Sequence, residues 1–233
     1  MKKLKITNLD RLKNENNKQY IYRVLKENIM NLQLVPGESV SEIEISEALS
    51  VSRTPVREAM VHLSEEKLID VFPQKGSSVS EIDLNLVEEA VFLRELCERE
   101  IFKIVCKKED SMELLRELEK NVAYQKIAIG FDEDLYAFFK LDNQFHKLIF
   151  EYCNKKNIWN SISKLSTHYD RLRLLDSLEK VNLQEVLNQH MEIIQTLKNK
   201  ETDKIDALIR KHLYNYKDVI EVFIERYPTY FKR

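Results

Sequence analysis

A mainly α-helical chain in two parts is what this sequence predicts, and three observations carry the prediction. Glycine and proline are scarce, three and four residues in 233, so most of the chain contains no helix breaker. Three of the four prolines and two of the three glycines fall within residues 36–76, which marks one turn-rich region. Beyond Gly76 apolar residues recur at three- and four-residue spacing over long stretches, the pattern of amphipathic helices. A boundary near Ile82/Asp83 follows, with Asp83 a helix cap. Residues 1–82 form a small domain of short elements, and residues 83–233 form an all-helical bundle of about six helices. A chain of 233 residues is long enough to give each part its own core.

The first domain opens with a basic segment: eight Lys/Arg against Asp10 and Glu15 in residues 1–26, a composition that suits an anionic polymer. Ile21, Val24, Leu25, Ile29 and Leu32 share one face of a helix over 18–32, which Pro36-Gly37 stops. "SEIE" (41–44) is a capping box that opens a second short helix with Ile45, Ala48 and Leu49 inward. "SVS" (50–52) makes a turn. Thr54 or Ser52 caps a third helix, and Pro55 sits in its first turn, where a missing N–H costs little. Val56, Ala59, Met60 and Leu63 bury one stripe of that helix and leave Arg53 and Arg57 on another face. Val71 and Val79 then lie in short strands around "PQKGSS", with Gly76 near the tip. Three helices and a two-stranded ribbon are the plan of a winged helix-turn-helix. In such a fold the third helix enters the major groove, where arginine reads guanine O6 and N7 with two hydrogen bonds. Arg53 and Arg57 are placed for that role, Thr54 for a phosphate or thymine methyl, and Lys75 for the minor groove or backbone.

Composition limits the setting. Net charge is −2, so the totals alone do not mark a nucleic-acid binder. Cys97, Cys106 and Cys153 are odd in number and in no C-x-x-C spacing, as expected of reduced thiols in a cytoplasmic protein. No apolar run reaches the ~20 residues of a membrane span, and "MKKLKITNLDRLKNENN" has no signal-peptide core.

The run "VSRTPVREAM" with the "KLI" that follows it closely resembles the DNA-binding domain of the GntR family of bacterial transcription regulators, over about residues 15–80. The resemblance implies a winged helix with Arg53, Thr54 and Arg57 at a double-stranded operator and Gly76 at the wing tip. Members often carry a basic, DNA-contacting residue in the second helix; "EIEIS" (42–46) has none.

In the second domain the helices fall at about 84–106, 110–128, 132–152, 156–177, 183–199 and 202–226. Polar residues interrupt their apolar stripes. His190 stands among Leu183, Val186, Leu187, Ile193, Ile194 and Leu197, and His212 among Ile205, Leu208, Ile209, Tyr216 and Val219. Asp142 and His146 form a D-x-x-x-H pair on the inward face of one helix. Each histidine alone reads as a satisfied core residue. Three with an inward carboxylate are hard to bury without a shared purpose, and imidazole with carboxylate suits Zn, Ni, Fe or Mn. Arg94 also faces inward and needs an anionic partner, with Glu98 or a facing glutamate available.

The D-x-x-x-H helix followed by two inward histidines 22 residues apart looks like the FCD-type effector domain of the FadR branch of GntR regulators. That resemblance implies a divalent metal on Asp142, His146, His190 and His212. It also makes Arg94, in "FLRELCE", the holder of an effector carboxylate. His168 is expected in a pocket wall, as an effector-binding residue, or on the helix surface, rather than as a further ligand.

The leading expectation is a homodimeric regulator that reads a palindromic operator and answers to a small organic acid. A metalloenzyme on a helical bundle is the rival from another class. None of the five histidines has Glu or Asp three residues before it, as paired Glu-x-x-His sites require. A metal-free regulator with structural histidines is the third reading.

Overall fold

The computed structural model describes residues 4–130 and 135–232. Residues 132–134, where the third bundle helix is expected to begin, and Lys2 and Lys3 of the basic segment lie outside the described residues. The chain divides into two compact units. The first runs to Leu84 and takes in the segment from Phe223 onward; the second is Asn85–Val222.

In the first unit α1 (Asn17–Met30) starts at a complete capping box, with Asn16 and Gln19 each bonding the other's backbone N–H. α2 (Glu42–Leu49) is capped by Ser41, whose hydroxyl accepts from the Glu44 N–H and donates to the Glu44 carboxylate. The glutamate therefore turns to the hydroxyl and not to the backbone. Ser50, in left-handed conformation at φ 53°, ends α2. α3 (Arg53–Glu65) follows after Ser52, which holds the cap position without a side-chain bond; Thr54 is already inside the helix. Val56, Ala59, Met60 and Leu63 pack on Ile21, Val24, Leu25 and Ile29 of α1 in one buried core.

The ribbon has three strands, not two. β2 (Ile69–Phe72) and β3 (Gly76–Val79) pair antiparallel, and β1 (Ser39–Val40) adds to the other edge of β3. Gly76 opens β3 opposite Phe72 at φ 99°, so the tip proper is Pro73–Lys75.

The basic segment is docked. Leu4 is buried in this core, and Asn28 pins Thr7 by two bonds, from the Thr7 N–H at 2.8 Å and to its carbonyl at 3.0 Å. Arg23 forks onto Glu15, and Lys26 pairs with Glu66. Several of its cations are thus held within the protein.

The sequence assigns residues 223–233 to the bundle, but the structure returns them to the first unit. Phe231 pairs in parallel with Ile82: the Ile82 N–H donates to the Tyr230 carbonyl, and the Lys232 N–H to the Ile82 carbonyl. Phe231 is buried, and Lys232 pairs with Asp83 at 2.9 Å. Gly37 stands against this segment at φ 79°, where a Cβ would meet the Thr229 carbonyl oxygen at 2.9 Å. Gly37→Ala combines a left-handed backbone with that clash and is expected to destabilise the unit by about 1–3 kcal/mol. Urea denaturation followed by circular dichroism checks it; a wild-type midpoint would refute the contact.

The second unit contains α4 (Leu84–Lys107, from its second residue on), α5 (Met112–Gly130), α6 (Leu135–Tyr152), α7 (Lys156–Leu165), α8 (Thr167–Glu179), α9 (Leu183–Lys198) and α10 (Ile205–Tyr214). A helix expected over 156–177 is broken at Ser166, whose N–H and hydroxyl both bond the Ile162 carbonyl, at 2.9 and 2.8 Å. The expected helix over 202–226 is likewise divided. 3₁₀ turns at Thr202–Lys204 and Asn215–Asp218 bracket α10, and α11 (Ile220–Arg226) leads into the returning segment. α5 packs on α6 and α9, and α6 on α8.

Candidate functional site

On the first unit α3 presents Arg53, Thr54 and Arg57 as exposed residues beside its N-terminus, and Lys75 is exposed on the hairpin turn. Arg57 is not isolated. Its Nε donates to Glu42 Oε1 at 2.8 Å and its Nη2 to Glu42 Oε2 at 3.0 Å, a fork that joins α3 to α2. The arginine side chain remains 71% exposed.

On the second unit the four residues singled out by their inward position meet. Asp142 and His146 come from α6, His190 from α9 and His212 from α10; all are buried, and their donor atoms lie within 4.8 Å of one another. Hydrogen bonds fix the tautomers of His190 and His212. A backbone carbonyl can only accept, so the contact to the Leu141 carbonyl at 3.0 Å is the Asn121 NH₂. The Asn121 oxygen then faces the Gln125 NH₂ at 2.7 Å, and the Gln125 oxygen faces His190 Nδ1 at 2.8 Å. His190 Nδ1 must carry the proton, and Nε2 carries a lone pair.

The same logic runs from the Glu185 carboxylate through the Gln189 NH₂ at 3.1 Å to His212 Nδ1, 2.8 Å from the Gln189 oxygen. His146 Nδ1 lies 2.9 Å from Glu98 Oε2, within ion-pair reach but outside hydrogen-bond geometry, so no bond assigns its tautomer. The Nε2 lone pairs of His190 and His212 turn toward the region that also holds His146 Nε2. His146 Nε2 and His212 Nε2 are 3.1 Å apart, and His190 Nε2 is 3.4 Å from Asp142 Oδ1 without making a hydrogen bond. Burial lowers the pKa of all three imidazoles, well below the usual range for His190 and His212. Neutral rings with outward-anchored Nδ1 and convergent Nε2 atoms are the donor set a divalent metal takes, and the groups behind them are the supports such ligands use. The residues fit the ion.

Arg94 and Glu98 of α4 adjoin this cluster. Arg94 Nε donates to Glu98 Oε1 at 2.7 Å, so the core ion pair expected from the sequence exists. Arg94 Nη2 is buried without a hydrogen bond, and the guanidinium lies over Trp159 and Tyr169. Arg94 also lines a small pocket with Asp142, His212, Tyr169 and Arg173, whose cavity volume of about 30 Å³ is far below that of small-molecule sites as it stands.

His168 is buried on α8 with Nδ1 3.2 Å from Arg171. It does not line this pocket. Arg173, which sequence reasoning passes over, does line it, and pairs with Asp142 and with Asp170. Desolvation raises the Asp170 carboxyl to about 7. Gln125 and Asn121 were also missed. Their one signal is polarity at i, i+4 on the stripe that holds Leu118 and Val122.

A winged helix with exposed arginines at its third helix, joined to a helical unit with a buried polar cluster, defines a transcription regulator of the helix-turn-helix class. The chain belongs to the gntR family of bacterial regulatory proteins, whose model matches residues 17–79, with an FCD domain over residues 89–215. It is 34% identical over 196 residues to the HTH-type transcriptional repressor RspR of Escherichia coli K12, covering 84% of this chain and 85% of that protein. It is 34% identical over 215 residues to an HTH-type regulator in an unstable DNA locus of Streptomyces ambofaciens, covering 92% and 89%. The gluconate operon transcriptional repressor of Bacillus subtilis is 27% identical over 204 residues, covering 84% and 82%. E. coli McbR/YncC shares the fold, with TM-score 0.65 at 20% identity over 91% of this chain and 99% of that one. These relatives and this fold are those of regulators and not of enzymes. No helix among the described residues is long and apolar enough to cross a membrane.

Proposed function

We propose that this regulator binds a palindromic operator as a cytoplasmic homodimer and that a small organic acid, received at a divalent metal, changes its operator affinity. The observation that carries the reading is the 3.1 Å approach of His146 Nε2 to His212 Nε2. The bond from Gln189 assigns a lone pair to His212 Nε2, so His146 Nε2 at that distance must either donate a proton to it or share a cation with it, and the convergence of four buried donor groups supports the cation. Asp142, His146, His190 and His212 would hold the ion, with Zn, Ni, Fe or Mn suited to the set. Bound there, it supplies positive charge to an anionic ligand. Arg94 supplies the rest: Nη2 is a buried donor without an acceptor, facing the same pocket, and a carboxylate oxygen satisfies it. That one relative is a gluconate operon repressor accords with an acid as signal. Operator contacts fall to Arg53, Thr54, Arg57, Lys75 and the backbone at Gly76, all on the first unit.

An acid alters operator affinity only by binding the DNA-competent and DNA-incompetent states unequally, with coupling of about 1–3 kcal/mol usual. Acetate, lactate and succinate, added to zinc-loaded protein, are the test set. At least one is expected to raise the melting temperature and shift operator affinity. Arg94→Ala should weaken that response and leave zinc content unchanged. No response to any of the acids would refute the effector reading.

A further inference from the structure

The fork between Arg57 and Glu42 has no part in the reading so far. It is exposed, and exposed ion pairs add little to stability. It also sits on the face assigned to DNA, where an acidic residue is repelled by phosphate. Glu42 lies in the stretch of α2 that has no basic residue, beside exposed Ile43. What the pair does follows from the shape of guanidinium. Its N–H groups form two bidentate edges, Nε with Nη2 and Nη1 with Nη2. Glu42 occupies the first, at 2.8 and 3.0 Å, and fixes the plane of the group from a second helix. The Nη1 edge makes no hydrogen bond among the described residues and points away from Glu42.

We propose that Glu42 is a positioning residue for sequence readout: it holds Arg57 so that the Nη1/Nη2 edge meets guanine O6 and N7. The proposal rests on the assignment of Arg57 to the operator. Two consequences separate it from a plain basic contact. The carboxylate cancels most of the charge of Arg57, so Arg57 is a weak phosphate binder and a directional base reader. A long arginine held in one rotamer also loses less entropy on binding, and a wrong base leaves its fixed donors unpaired.

The test uses the full chain and a duplex that the wild type enriches from a randomised pool, with a scrambled duplex of equal length as reference. Wild type, Glu42→Gln, Arg57→Ala and the double variant are titrated on both at several salt concentrations. Arg57→Ala is expected to lose preference at one guanine per half-site and to leave the salt slope unchanged, whereas a lost phosphate contact lowers it by about 0.9. Glu42→Gln is expected to reduce the ratio of selected to scrambled affinity about tenfold. Part of that change is tighter binding to the scrambled duplex, because an acidic charge is gone. The double variant should match Arg57→Ala. A Glu42→Gln ratio within twofold of wild type, or additive losses in the double, overturns the positioning role alone. Full specificity in Arg57→Ala, or a pool from which the wild type enriches nothing, overturns the operator assignment and this role with it. Arg57 is exposed and Glu42 half-buried, and unchanged thermal melts confirm that the variants fold.

Discussion

His190→Ala is expected to abolish retention of a divalent ion and to remove its contribution to the stability of the helical unit. Three supports converge on this residue. It is fully buried, its Nδ1 is committed to Gln125, and its Nε2 makes no hydrogen bond. An ion bound only by the folded state stabilises it by mass action, about 2.7 kcal/mol at a free concentration a hundred times the dissociation constant. Wild-type protein purified without chelator or nickel resin should carry about one ion per chain, and a chelator should lower its melting temperature. His190→Ala should carry none and ignore the chelator. Gln125→Ala leaves all four donors in place but frees the ring, and is expected to weaken affinity about 10- to 100-fold. Elemental analysis and zinc titration calorimetry decide the matter. Wild-type protein that binds no zinc would leave a hydrogen-bonded core cluster as the account of these residues.

Glu98→Ala is expected to cost about 3–5 kcal/mol, the largest single effect on the helical unit. Glu98 and Arg94 are 0% and 1% exposed, and the carboxylate faces Arg94 Nε on one side and His146 Nδ1 on the other. Burial by itself raises the Glu98 carboxyl. The charge of Arg94, with the His146 ring beside it, more than reverses this and holds it well below the usual carboxylate range. A depressed carboxyl stabilises above its unfolded pKa and loses that contribution only as pH falls toward the folded value, so the pair persists through mild acid. Alanine removes the counter-charge and leaves a buried guanidinium uncompensated. The double variant Arg94→Met/Glu98→Leu removes both charges and should recover most of the loss. Urea denaturation of the three variants measures this. A single variant as stable as the double would show that the pair is solvated.

Asp142, His146, His190, His212 and Arg94 were legible because each interrupts an apolar helical stripe, and such interruptions are costly enough to be meaningful. Which groups they face was not legible. Gln125 reaches His190 across 65 positions and Glu98 reaches His146 from another helix, and helical spacing carries no information between helices. The break at Ser166 is not legible because no glycine or proline marks it, and serines elsewhere in these helices make the same hydroxyl bond without a break. β1 is two residues long, too short for any alternation to register. The Arg57 fork needed both helices in place, since α2 and α3 each look complete alone.

The return of Phe223–Lys232 to the first unit has a consequence for how the protein is made. The winged helix leaves the ribosome early, yet Ile82 gains its strand partner, and the pocket of Phe231 its occupant, only after the entire helical unit has been synthesised. At about 5–20 residues per second that interval is roughly 7–30 s. During it the nascent winged helix has an unpaired backbone edge at Ile82 and an uncovered apolar surface. Its completion is therefore timed to that of the helical unit, so a chain stalled or cleaved within the bundle yields a first unit that lacks the bridge from Ile82 to Phe231.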